Sequence, residues 1–125
     1  VKKNRPVNLD FSTIHMPLPA ITSILHRISG IALFFGAVFM MYALGLSLES
    51  EAGFQETITM FEESIFAKLI AWGLLSALAY HSVVGIKHLF MDAGHFEELE
   101  SGMLAAKAAL VISGVLIVLA GVWIW

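Results

Sequence analysis

At 125 residues the chain has the length of one modest domain, and 58% of it is hydrophobic against 14% charged, a balance that leaves a small soluble domain too little polar surface to cover itself. The net charge is -3, and without a dense basic run or an arginine-rich helix nucleic acid is not an expected partner. No cysteine is present, which excludes disulfides, thiolate zinc sites, iron-sulfur ligation and covalent C-x-x-C-H haem attachment within the chain.

The chain opens on Lys2, Lys3, Asn4, Arg5 and Pro6, which do not lead into an apolar run, so no cleavable signal peptide is expected. Residues 1–22 read as an N-terminal arm: Pro6, Pro17 and Pro19 block a continuous helix, while Asn8, Asp10, Ser12 and Thr13 can close turns or caps. Such an arm packs under the rest of the chain, touches a partner, or lies ordered on the surface.

Three uncharged apolar stretches follow, at 28–48, 69–86 and 108–125. A helix rises about 1.5 Å per residue and the hydrocarbon core is about 30 Å thick, so each stretch can cross a bilayer. The second and third are just long enough, with Lys68, Lys87 and Lys107 expected to reach the headgroups. The mean hydropathy of +0.84 agrees. The expected fold is therefore all-α: one integral membrane domain with three transmembrane helices in a bundle, spanning about 24–48, 67–90 and 104–125.

In this topology Lys2, Lys3, Arg5, Arg27, Lys87 and Lys107 share one side and Lys68 takes the other, which places the N-terminus in the cytoplasm. Glu49, Glu51, Glu56, Glu62 and Glu63 then face outward in the first loop, while Asp92, Glu97, Glu98 and Glu100 lie inside in the second. Trp123 and Trp125 stand where an interfacial aromatic anchor belongs.

Polar groups within the spans are costly and point to function. His81 lies inside the second span, six residues and about 9 Å before Lys87. A neutral imidazole there can ligate a metal or haem iron, relay protons, or bond a neighbouring helix. Gly85 follows one turn later on the same face, where a side chain would obstruct a flat macrocycle, and His88 comes two turns on at the interfacial level. Both features also fit plain helix packing.

A second cluster, Ser23, Ile24, His26, Arg27, Ser29 and Gly30, opens the first span. Ser23 and Arg27 are four apart and share a face, beside apolar Ile24. A hydroxyl and a guanidinium so placed suit an amphiphilic ligand with a carbonyl or anionic oxygen, such as a quinone headgroup. They suit equally an arginine snorkelling to phosphate, with Ser23 capping the helix. Lys87, His88, Asp92 and His95 form a third group that either passes protons inward or makes an ordinary solvated helix end.

Arg5-Pro6, then Ser23-x-x-His26-Arg27-x-Ser29-Gly30, resembles the first signature of the cytochrome b membrane-anchor subunits of succinate dehydrogenase. His81-x-x-x-Gly85-Ile86-Lys87-His88-Leu89-x-Met91-Asp92-x-Gly94 resembles their second, in the same order and spacing. The likeness covers essentially the whole chain. It departs at Lys87, where the family pattern favours arginine and its bidentate fork.

The resemblance implies a subunit that anchors an iron-sulfur protein and a flavoprotein to the bacterial inner membrane together with a second hydrophobic anchor subunit. It implies His81 as an axial ligand of a b-type haem, the other ligand coming from that second anchor. Residues matching His26 and Arg27 lie near the haem propionates in the family, and those matching Ser23, Ile24 and Arg27 contribute to a ubiquinone pocket. His88 and Asp92 match positions close to both. The function implied is electron transfer from succinate oxidation to ubiquinone. Fumarate reduction by the same chemistry in reverse, and a purely structural anchor without haem, are the alternatives.

Overall fold

The computed structural model describes residues 4–125; Lys2 and Lys3, which the charge reading uses, lie outside the described residues. Four helices follow in order: α1 (Leu18–Glu49), α2 (Glu51–Glu63), α3 (Ile65–Asp92) and α4 (Leu99–Ile124). Helices α1, α3 and α4 are each long and apolar enough to cross a membrane. Among the described residues there is no strand, and the chain is an all-helical multi-pass membrane protein.

Helix α1 starts within the stretch read as an arm. Pro17 is its N-cap and Pro19 sits in its first turn, where the missing proline N–H has no intrahelical partner to lose. The prolines thus begin the helix rather than block it, and Ser23 is internal, so its reading as a helix cap is removed. At 32 residues α1 is about 48 Å long and projects beyond the hydrocarbon core. Before it, the arm closes on itself. Asp10 N–H donates to Asn8 Oδ1, and Ser12 N–H and Oγ–H both donate to Asp10 Oδ1.

Helix α2 occupies the first loop, which the sequence reading left without structure. Ser50 caps it by accepting from Gly53 N–H at 2.9 Å, with Glu51 in the first turn, where a carboxylate meets the positive end of the helix dipole. Ser64 then caps α3 by accepting from Ala67 N–H at 3.3 Å. At the far end of α3, His95 N–H reaches back to Phe90 O at 2.9 Å and Gly94 takes φ +90°. This left-handed closure is one that glycine adopts without a Cβ penalty.

The apolar side chains buried between helices are small. Ala43, Ala67, Val84, Ala106 and Ala109 make up the buried apolar set, whereas Phe34, Phe35, Val38 and Met41 on α1 point outward. Lipid is as apolar as leucine, so membrane helices associate by close approach of small residues rather than by hiding large ones. Gly102, Ala106, Ala109 and Ser113 lie on one buried face of α4, and α4 packs chiefly against α3. Trp72 Nε1 of α3 ties the pair by donating to Ile117 O at 2.9 Å.

Candidate functional site

The approach of α1 to α3 brings together His26 and His81. The two imidazoles stack with ring centroids 4.0 Å apart and planes 9° from parallel. His88 meets His26 edge-on, at 5.1 Å and 77°. Glycines make the room: a Cβ on Gly30 would lie 3.1 Å from His81 Cε1, and one on Gly85 would lie 3.4 Å from His26 Nε2. Gly85 therefore faces the His26 ring at contact distance, a neighbour that helix-face arithmetic on α3 alone does not reveal.

His81 Nδ1 lies 3.0 Å from Ser29 Oγ and 3.1 Å from the His26 carbonyl oxygen. Ser29 Oγ–H donates to that same carbonyl at 2.7 Å. A carbonyl oxygen only accepts, so Nδ1 carries the proton and shares it between the two oxygens. In the neutral ring Nε2 then holds the lone pair. That lone pair points outward in the ring plane, and His26 covers only the face, so stacking leaves Nε2 open to a ligand.

His26 Nε2 is buried without a hydrogen-bond partner. A buried orphan nitrogen is costly unless a further group meets it. Although three imidazoles converge, no group of three or more histidine or carboxylate side chains among the described residues is placed to hold a metal ion by itself. Stacking engages ring faces, not nitrogen lone pairs, so it leaves His81 Nε2 able to act as a ligand.

Ser23 and Ile24 are half-buried one turn before this cluster, and Arg27 is exposed. Thr22, beside Ser23, was not singled out from the sequence, yet it is fully buried and accepts two bonds from α3. Tyr80 Oη–H donates to its carbonyl at 2.7 Å, and Lys87 Nζ donates to its Oγ1 at 3.2 Å. The Thr22 hydroxyl in turn donates to Pro19 O at 2.9 Å.

The Lys87 side chain, expected to reach the headgroups, is instead 6% exposed. The α1–α3 contact covers it, and Thr22 offers an acceptor within reach. Of the third sequence group, only His88 joins the imidazole cluster. Asp92 is exposed, and His95 packs near Phe90 and Phe96 beyond the end of α3. A cavity of about 790 Å³ opens elsewhere, lined by Leu33, Phe61, Lys68, Leu75 and Trp125 among others. None of the site residues lines it.

Residues 1–122 match the family described as succinate dehydrogenase/fumarate reductase transmembrane subunit. The chain is 43% identical to the succinate dehydrogenase cytochrome b556 subunit of Coxiella burnetii, over 97% of each chain. It is 36% identical to the subunit of that name from Paracoccus denitrificans, over 93% of this chain and 88% of the relative. It is 33% identical to the mitochondrial cytochrome b560 subunit of Mus musculus, over 88% of this chain and 66% of that one. With the family match spanning nearly every residue, and three apolar helices in the fold, the chain belongs to the succinate dehydrogenase/fumarate reductase transmembrane-subunit family.

Proposed function

We propose that this chain is the haem b- and quinone-binding anchor subunit of a succinate:ubiquinone oxidoreductase. The tautomer of His81 carries the reading. Its Nδ1 proton is held by Ser29 Oγ and the His26 carbonyl, which orients the ring and leaves Nε2 as an iron ligand, as bonded histidine ligands require.

The residues fit the haem that a cytochrome b name implies. His81 Nε2 would hold the haem iron, with a further ligand from another anchor subunit, and the orphan His26 Nε2 would meet a propionate, with Arg27 and His88 nearby. When bound, the haem would supply a one-electron redox centre. Ser23 binds the quinone by donating its hydroxyl proton to one carbonyl oxygen, and Ile24 gives the ring an apolar wall. Arg27 stabilises negative charge that develops on that oxygen as the quinone is reduced. Protons arrive from the cytoplasmic side. The relatives' succinate dehydrogenase names favour succinate oxidation over fumarate reduction.

In this reading an iron-sulfur subunit, a flavoprotein and a second anchor complete the assembly, and the lack of cysteine here agrees with iron-sulfur clusters held by a partner. Arg5, Arg27, Lys87 and Lys107 toward one end, against Lys68 toward the other, favour a cytoplasmic N-terminus in the bacterial inner membrane.

The test is the reduced-minus-oxidised visible spectrum of the complex purified in mild detergent. Low-spin b-haem bands that develop on adding succinate, and that disappear in His81→Ala, are expected. An intact complex without haem would leave only a structural anchor.

A further inference from the structure

Thr22 is gripped by two side chains that the quinone reading does not use. Tyr80 and Lys87 are seven residues apart on α3, two turns along one face. Tyr80 holds the Thr22 carbonyl at 2.7 Å, and Lys87 holds its hydroxyl at 3.2 Å. Thr22 has no exposed surface, and Lys87 is 6% exposed, so both bonds are shielded from competing water. Together they hold Thr22 to α3 at two points, its backbone and its side chain, which opposes both sliding and rotation of α1.

We propose that Tyr80 and Lys87 are positioning residues for the quinone: by pinning Thr22 they set the depth and rotation at which α1 presents Ser23 and Arg27. This rests on the quinone reading of those two residues. Ser23 is the next residue after Thr22, about 100° around the helix, and Arg27 follows one turn later. A few degrees of rotation at Thr22 therefore swing both polar groups off the headgroup. Lys87 does this through Thr22 and does not itself touch the quinone.

The experiment uses the whole complex in membranes, a short-chain ubiquinone as acceptor, and succinate oxidation by an artificial dye as the measure of assembly. At nearly constant volume, Tyr80→Phe removes the bond to the Thr22 carbonyl, and Thr22→Val removes the hydroxyl's bond from Lys87 together with its local bond to Pro19 O. Each is expected to lower kcat/KM for the quinone about fivefold, as for one lost hydrogen bond, with KM rising as Ser23 shifts and kcat falling as Arg27 shifts, while the dye-linked rate stays within twofold. Lys87→Arg, which keeps the charge and the donors, stays near the parent. Thr22→Val combined with Lys87→Met is no worse than Lys87→Met alone, because both remove one interaction.

If Ser23→Ala and Arg27→Ala impair quinone reduction while Thr22→Val and Tyr80→Phe leave kcat/KM for the quinone unchanged, the pin is refuted and the quinone site stands. Additive effects of Thr22→Val and Lys87→Met also refute it, and make Lys87 act directly. Loss of dye-linked activity in Tyr80→Phe and Thr22→Val refutes it in favour of assembly. If Ser23→Ala and Arg27→Ala leave quinone kinetics unaltered, the quinone reading falls and takes this inference with it.

Discussion

His26 lies flat on His81, 4.0 Å between ring centroids and 9° from parallel, and its own carbonyl holds the His81 Nδ1 proton at 3.1 Å. One residue of α1 thus orients the α3 imidazole twice, by its ring and by its backbone. The backbone contact persists whatever side chain stands at position 26, so the two contributions are separable by mutation.

Ser29→Ala removes one of the two oxygens that share the His81 proton and leaves the other. Haem affinity is expected to fall about tenfold while the low-spin bands keep their shape. His81→Ala, by contrast, abolishes them. Haem content per complex, measured beside the reduced spectrum, separates the two outcomes. A five-coordinate spectrum in Ser29→Ala would show that the serine decides ligation rather than tuning it.

Arg27→Ala is expected to lower succinate:quinone reductase activity roughly ten- to a hundredfold, the equivalent of one lost charged hydrogen bond. Dye-linked succinate oxidation stays near normal, because it bypasses the quinone. Equal loss of both rates would move Arg27 from chemistry to assembly.

Gly85 distinguishes packing against His26 from general helix flexibility. A methyl group there would stand 3.4 Å from His26 Nε2, ordinary contact, so Gly85→Ala should alter stability by no more than about 1 kcal/mol. Gly85→Val adds a branch that displaces the ring, at a cost of about 1–3 kcal/mol, with weakened haem retention. Thermal loss of the b-haem band measures both. Intact retention in the valine variant would remove His26 from the haem contacts.

The arm carries a pH dependence of its own. Two hydrogen bonds from Ser12, side chain and backbone, hold the exposed Asp10 carboxyl below its ordinary value of 3.8. Because the folded value is depressed, the turn's stabilisation is fully present above 3.8 and is lost as pH falls through the lowered value. The Ser12 amide resonance, followed by NMR in detergent, should titrate below 3.8, and Asp10→Asn should flatten the curve. A midpoint above that would mean the turn does not form in solution.

The three spans were legible because length and apolarity are properties of composition, and a bilayer demands both. Helix α2 was missed, although Phe54, Ile58 and Phe61 recur at helical spacing between Ser50 and Ser64; a charged stretch between two spans reads first as a loop. The start of α1 was also misplaced, since a proline that ends one helix begins another and only backbone geometry separates the cases.

The sequence by itself determined the membrane class and the family. It also determined which polar residues lie in apolar helices, because those follow from residue type and local spacing. Ser29 and His81 are 52 positions apart, and Lys87 and Thr22 are 65 apart. No local pattern encodes which hydroxyl meets which nitrogen across such distances. The rotation and crossing of α1 on α3 decide that, and with it the His81 tautomer, the burial of Lys87 and the role of Thr22. Inside a membrane a polar group without water must take the partner that packing brings within reach.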